Sequence, residues 1–279
     1  MDFRLSKEQK MLRQMYRDFC QNEVKPIAAE IDEAERFPWE TVEKMAKLGL
    51  LGICFPAEYG GAGADILSYA MFVEELGKVC GTTAIVVSTH TSLCSSPIFE
   101  FGTEEQKRKY MPILTSGQKI GAFGLTEPSA GTDASSLETT AVLEGDHYVL
   151  NGSKIFITNG GAAGIYVIFA STDKSKGHRG ISAFIVERDF EGFSVGREEK
   201  KMGIRGSSTA ELVMQDCIVP KENLLGREGQ GFKIALHTLD GGRIGVASQA
   251  LGLGEGAIDE AIAYTKERVQ FGKRISQFQ

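Results

Sequence analysis

The sequence predicts an α+β protein of several units: an N-terminal helical domain, a middle antiparallel β-barrel or sandwich, and an incomplete C-terminal helical bundle. Three observations carry this. Apolar residues recur at helical spacing over the first third of the chain. From Gly121 to Pro220 short β-type runs alternate with turn residues. After Pro220 helical texture returns, interrupted by little except glycine. A chain of 279 residues is also near the size, ~250–300 residues, at which single cores stop growing. The expected domains span residues 1–120, 121–225 and 226–279.

In the first domain Ser6, with Gln9 three residues on, forms a capping box. Met11, Leu12, Met15, Tyr16 and Phe19 follow at helical spacing, and Pro26 ends or kinks that helix. Further helices are expected from Trp39 to Leu48 and around Leu67–Leu76, with a short one opening at Thr103 and Gln106 and ending before Pro112. The Pro/Gly-rich Phe55 to Gly63 is a loop.

In the middle domain, residues 141–150 read as a hairpin turning at Glu144-Gly145-Asp146. Asn151-Gly152 reads as a second hairpin turn, leading into a strand over 154–158. Further strands fit residues 165–170, 181–186 and 211–214. Close spacing of these strands favours antiparallel pairing over βαβ units. The last domain is expected to hold one helix over residues 232–256 and another from about Gly256 to Val269. Glycine costs a helix roughly 1 kcal/mol against alanine. Gly241, Gly242, Gly245, Gly252 and Gly254 therefore imply close approach by another helix or by a ligand.

The composition narrows the function. It is that of a soluble globular protein, 42% hydrophobic and 24% charged, and the net charge is −6. This disfavours a nucleic-acid binder, which needs a basic face. Apolar runs fall well short of the ~20 residues a membrane span requires. The N-terminus has no apolar signal region, and the five cysteines lack C-x-x-C spacing, so a cytoplasmic protein with reduced thiols is expected. The four histidines share no metal-ligand spacing. No G-x-G-x-x-G joins a strand to a helix, and neither G-x-x-x-x-G-K-[ST] nor G-x-S-x-G occurs.

Four stretches offer chemistry. Phe123 to Ala134 leaves a β-run for a loop of small residues and hydroxyls, able to present N–H and O–H donors to a heterocycle or pyrophosphate. An ordinary turn is the commoner use of such a segment. Phe156 and Thr158 would share a strand face and could flank a flat ring, or Phe156 could be core. Asp240 and Arg243, at i and i+3, can pair with each other or hold a polar ligand. Arg268 can answer a helix dipole or bind phosphate.

Together these stretches resemble the acyl-CoA dehydrogenase family. Five motifs follow its pattern in order: Glu58-Tyr59-Gly60-Gly61, then Leu125-Thr126-Glu127-Pro128 with Gly131-Thr132-Asp133, then Ile157-Thr158-Asn159-Gly160, Asp240-Gly241-Gly242-Arg243, and Arg268-Val269-Gln270-Phe271-Gly272. The run from Gly242 to Ala250 is similar to the short-chain, butyryl-type bacterial enzymes. The resemblance implies an FAD enzyme that desaturates acyl-CoA thioesters between Cα and Cβ and passes electrons to an electron-transferring flavoprotein. It implies flavin contacts from Phe123, Leu125, Thr126, Gly131, Thr132, Phe156, Ile157 and Thr158, and, across a subunit interface in a homotetramer, from Arg268, Phe271 and Gln279. It implies substrate contacts from Thr132, Asp240, Gly241, Gly242 and Arg243.

The same resemblance places the general base, usually a glutamate, beyond Gln279. Some members carry it instead just before the helix arginine, where this chain has Gly242. The expectation is therefore a chain lacking the family's last helices, with impaired desaturation. The alternatives are a flavin oxidase or monooxygenase of the same fold, and a non-catalytic FAD-binding or assembly module.

Overall fold

The computed structural model describes residues 4–279. Helix α1 (Lys7–Phe19) starts at the Ser6/Gln9 capping box. Its chain direction carries on through a π-helical turn, Cys20–Val24, into α2 (Lys25–Ala34), which has Pro26 in its first turn. Pro26 thus falls just after the π-helical turn, where the α-helical ladder is already interrupted. Met11 and Met15 of the predicted apolar stripe point to solvent, whereas Tyr16 and Phe19 are buried against Phe72. Helices α3 (Trp39–Lys47), α4 (Ile66–Val79) and α5 (Gly81–Ser88) follow. A second π-helical segment, Thr89–Ser95, leads into α6 (Ser96–Phe101), and α7 (Glu104–Thr115) completes the helical part. Helix α7 runs through Pro112 instead of stopping before it. Pro112 is exposed, so the carbonyl it leaves unpaired can be hydrated.

One sheet of eight strands comes next: β1 (Gly121–Gly124), β2 (Thr140–Glu144), β3 (His147–Thr158), β4 (Ile165–Ser171), β5 (Ile181–Glu187), β6 (Phe193–Glu198), β7 (Thr209–Pro220) and β8 (Leu224–Leu225). Its open path is β6-β7-β3-β2-β4-β5-β8, with β1 beside β4. Pairing is antiparallel except that β1 lies parallel to β4 and Thr140 bridges parallel to Ser171. Strand β1 enters from α7 and not through a hairpin, so nothing obliges it to reverse direction. Along β4, alternate residues serve two cores. Ile165, Val167 and Phe169 pack toward the helices, while Tyr166, Ile168 and Ala170 join Leu150, Phe184, Leu212 and Met214 in a core enclosed by the sheet.

Asn151-Gly152 is not a turn. It lies within the 12-residue β3, at a bulge where pairing with β7 slips between Leu150 and Gly152. Gly152 has φ +148°, and a Cβ there would collide with Thr139. Asn151 closes the bulge by exchanging hydrogen bonds with Asp216: its Nδ2 donates to Oδ1 at 3.1 Å, and its Oδ1 accepts from the backbone N–H at 2.8 Å. Strand β6, absent from the sequence reading, forms on the other edge of β7.

The two helices expected after Pro220 are one, α8 (Gly231–Glu267), 37 residues long. Gly256 does not break it. Thr238, Gly242, Gly245, Gln249, Gly252 and Gly256 recur every three or four residues as a buried stripe. Added Cβ atoms on this stripe would strike Leu93, Tyr69, the carbonyl of Glu74 and that of Lys78. The glycines thus let α8 lie against α4 and the π-helical segment with backbones nearly touching. Leu236, Ile244, Val246, Leu251, Leu253, Ile258, Ile262 and Tyr264 of α8 remain exposed. A short hairpin, β9 (Val269–Gln270) and β10 (Lys273–Arg274), follows. No helix among the described residues is long and apolar enough to cross a membrane. All five cysteines are free thiols.

Candidate flavin and acyl-CoA cleft

The three parts meet at a cleft of about 490 Å³. Its lining includes Phe123 and Leu125 from the end of β1, Thr126 and Gly131 to Ala134 from the following loop, and Phe156, Ile157 and Thr158 from the end of β3. Thr89 and Leu93 of the π-helical segment contribute, as do Phe232, Leu236, Leu239 and Arg243 of α8. The spacing of the α8 residues, 4, 3 and 4, puts them on one helix face, next to the glycine stripe.

A regular strand would turn alternate residues away from the cleft, yet three consecutive ones line it. The cause is a second irregularity in β3, between Lys154 and Ile157. Phe156 takes the left-handed φ of +59° and is 60% exposed. A non-glycine residue there costs roughly 1–2 kcal/mol, a cost typical of functional positions. The irregularity also frees the Ile155 N–H, which donates to the Thr126 carbonyl at 2.9 Å. The end of β3 is anchored by fully buried Asn159, whose Nδ2 donates to the carbonyls of Val86 at 3.1 Å and Gly121 at 3.2 Å.

Behind the cleft, buried Glu127 and Lys154 form an ion pair, Nζ to Oε1 at 2.6 Å. The Glu127 carboxylate also accepts the N–H of Glu138, and that of Thr139 at 3.1 Å. Burial raises the Glu127 carboxyl, but Lys154 and these donors outweigh it and leave it below the ordinary value. Burial takes the Lys154 ammonium down to about 8, against the pull of Glu127.

The hydroxyls of Thr126, Thr132 and Thr158 make no hydrogen bond to another described residue. Phe123, Leu125, Leu93 and Leu239 add apolar surface. An exposed aromatic ring, free hydroxyls and an apolar floor fit a flat heterocycle with a polar edge. The one carboxylate in the lining is Asp133. It is held by the N–H of Ser135 at 3.2 Å and its Oγ at 2.6 Å, which keep it below the usual carboxylate range.

The other expected substrate residues are only partly at the cleft. Arg243 lines it and pairs with Asp240 at 2.5 Å, both side chains exposed. Asp240 and Gly241 face a neighbouring hollow of about 220 Å³, and Gly242 is pressed against Leu93. Arg268 caps α8, and Phe271 stands almost fully exposed at the tip of the β9–β10 hairpin, packing on Phe278. These two and Gln279 lie outside the cleft lining. The sequence reading missed Thr89, Leu93, Phe232, Leu236 and Leu239. Nothing in the sequence signals the π-helical segment that brings Thr89 and Leu93 in. The other three follow only once α8 is known to continue through its glycines. Among the described residues no group of histidines, cysteines and carboxylates could hold a metal ion.

Helical part, sheet and long helix around one such cleft define the acyl-CoA dehydrogenase fold. Family models match in that order: acyl-CoA dehydrogenase N-terminal domain over residues 6–118, middle domain over 122–217 and C-terminal domain over 229–279. The chain belongs to the acyl-CoA dehydrogenase family. It is 65% identical over 279 residues to the short-chain specific acyl-CoA dehydrogenase of Clostridium acetobutylicum, covering all of this chain and 74% of that protein. A chain in a solved structure of the electron transferring flavoprotein of Acidaminococcus fermentans is 58% identical, with a TM-score of 0.98 over 100% of this chain and 73% of that one. The acyl-CoA dehydrogenase of Bacillus anthracis, solved in complex with FAD, is 42% identical, with a TM-score of 0.92 over 98% of this chain and 47% of that one.

Proposed function

We propose that this chain binds FAD and a short-chain acyl-CoA in the cleft between the sheet and α8, as part of an acyl-CoA dehydrogenase that delivers electrons to an electron-transferring flavoprotein. The observation that carries the reading is the convergence of the Thr126–Thr132 loop, the Phe156–Thr158 segment and the Leu236–Arg243 face of α8 on one cleft. In this reading Phe123, Leu125, Thr126, Gly131 and Thr132 form one wall of the flavin site, and Phe156, Ile157 and Thr158 the other. The Thr126 and Thr158 hydroxyls bond the polar edge of the ring. Arg268, Phe271 and Gln279 serve the flavin of a neighbouring copy in a homotetramer. Thr132 and the Asp240–Arg243 turn hold the thioester and its carrier. The units are residues 1–120, 121–225 and 226–279, and the protein acts in the cytoplasm.

Bound FAD supplies a two-electron acceptor for the acyl Cβ–H bond. The chain's own residues orient the ring and exclude water with the apolar floor. Removing the α-proton calls for a carboxylate freed from other partners and desolvated, so that its pKa rises toward the working pH. Asp133 is already bound by Ser135, and Asp240 by Arg243. These 279 residues therefore offer binding without an effective base. The test is a visible spectrum of the purified chain with FAD, then titration with butyryl-CoA. Bound flavin whose spectrum responds to butyryl-CoA but bleaches slowly is expected. A chain that does not take up FAD refutes the proposal, and rapid acyl-CoA-dependent dye reduction refutes the missing base.

A further inference from the structure

We propose that the Glu127–Lys154 ion pair is a positioning clamp that sets the gap between the two walls of the cleft, so that FAD affinity follows the charge on the pair. The second half of this statement rests on the cofactor reading above. Neither side chain lines the cleft, yet each lies within two residues of one that does. Glu127 follows Thr126, and Lys154 stands two residues before Phe156. Three links cross between the walls: Lys154 Nζ to Glu127 Oε1 at 2.6 Å, Lys154 Nζ to the Leu125 carbonyl at 3.4 Å, and the Ile155 N–H to the Thr126 carbonyl at 2.9 Å. The same carboxylate gathers the far end of the loop through the N–H groups of Glu138 and Thr139. Within the loop, Glu127 and Ala130 exchange backbone hydrogen bonds at 3.0 and 3.2 Å. One buried carboxylate thus holds a loop of more than ten residues against one strand.

Stability alone is a weak reason to keep such a pair. It is the one ion pair among the described residues with both side chains buried, at 0% and 3% exposure. Buried ion pairs are often replaceable by neutral residues of similar volume without loss of stability. A neutral pair, however, leaves the two backbone donors less firmly held and the gap less defined. The groups facing Lys154 are few. Glu127 is the one titratable partner, while Gly124 of β1 lies beside the aliphatic stem and Leu212 of β7 is its cross-strand partner. Burial lowers the ammonium's pKa, so rising pH removes its proton sooner than from a free lysine and weakens the links to Glu127 and Leu125.

The test compares the wild-type chain with K154R, K154M and E127Q/K154M. Backbone hydrogen exchange is followed without FAD, and FAD affinity by fluorescence titration at pH 7 and pH 9. Thermal unfolding of each FAD-free chain reports whether it is folded. K154M and E127Q/K154M are expected to speed exchange in residues 125–139 and 155–158 but not in β4. They should weaken FAD binding by about tenfold, equally at both pH values. Wild type should lose affinity severalfold from pH 7 to pH 9, and K154R, whose charge persists, should not. Wild-type exchange rates or wild-type affinity in the folded E127Q/K154M chain overturn the clamp. So does a pH response in K154R equal to that of wild type. A wild-type chain that ignores FAD while K154M shows the expected exchange pattern overturns the cofactor reading and supports the clamp.

Discussion

Alanine at Gly252 and alanine at Gly254, two residues apart in α8, should move stability in opposite directions. Each substitution removes the flexibility of a mid-helix glycine, which by itself stabilises by about 1 kcal/mol. At Gly254 nothing lies within 4 Å of the added Cβ, so that gain is kept. At Gly252 the Cβ would run into the Glu74 carbonyl and lie 3.0 Å from the Gly77 Cα. These are backbone atoms of α4, which cannot rotate aside. The helices must part, which strains the neighbouring approach of Gly77 to the Gln249 carbonyl and the bond from Gln249 Nε2 to the Gly81 carbonyl at 2.9 Å. Overpacking of this kind costs about 1–3 kcal/mol or more, enough to outweigh the propensity gain. The propensity gain is common to both, so the two variants should differ by the overpacking cost alone, about 1–3 kcal/mol, which for a chain of this size corresponds to roughly 2–5 °C in melting temperature. Differential scanning calorimetry of wild type, G252A and G254A measures this directly. A G252A chain melting at or above wild type would refute the argument that α8 needs glycine to reach α4.

Other substitutions probe the remaining devices. F156G relieves a left-handed backbone while removing little packed surface. The FAD-free chain should melt no lower than wild type, while FAD titration shows weaker binding. N159A deletes two buried hydrogen bonds and leaves alanine at φ +63°. Urea unfolding should show a loss of about 2–4 kcal/mol. Glu75 is buried in α4 and pairs with Arg13 and Arg17, each at 3.0 Å. Burial raises its pKa, but the guanidinium bonds outweigh this and hold it below the ordinary 4.5. Because the folded value is the lower one, its stabilising contribution is present above pH 4.5 and is lost as pH falls through the folded pKa. E75Q should therefore be less stable at pH 7 by about 2 kcal/mol, with a flatter acid limb in denaturation curves taken from pH 7 to pH 3.

Local chemistry in the sequence gave away the helix starts, because the capping boxes at Ser6 and Thr103 satisfy their own N–H groups with side chains three residues on. It also gave the 141–150 hairpin, whose turn glycine, Gly145, has φ +65°. The glycines of α8 signalled close approach, and α4 is what approaches. The errors arose where a tertiary contact decides. Asn151-Gly152 carries a strong turn signal, but β7 runs alongside it and converts the turn into a bulge. Gly256 resembles a helix end until the Lys78 carbonyl is seen to occupy the space a side chain would need. The parallel placement of β1 depends on which strand is vacant when α7 delivers it, which no local pattern encodes. At the cleft, polar and aromatic residues stood out by type. The leucines and Thr89 did not, since apolar or small residues at helical spacing look alike wherever they face.

Residues 89–93, 123–134, 156–158 and 232–243 each supply one side of the cleft, so it is not a local product of any stretch of chain. A ribosome must have released the first half of α8 before the last side can close. Contacts spanning more than a hundred residues form slowly and late in folding. A chain ending before Phe232 would contain every strand of the sheet and yet only an open trough. A filled cleft would thus report that the three parts have docked.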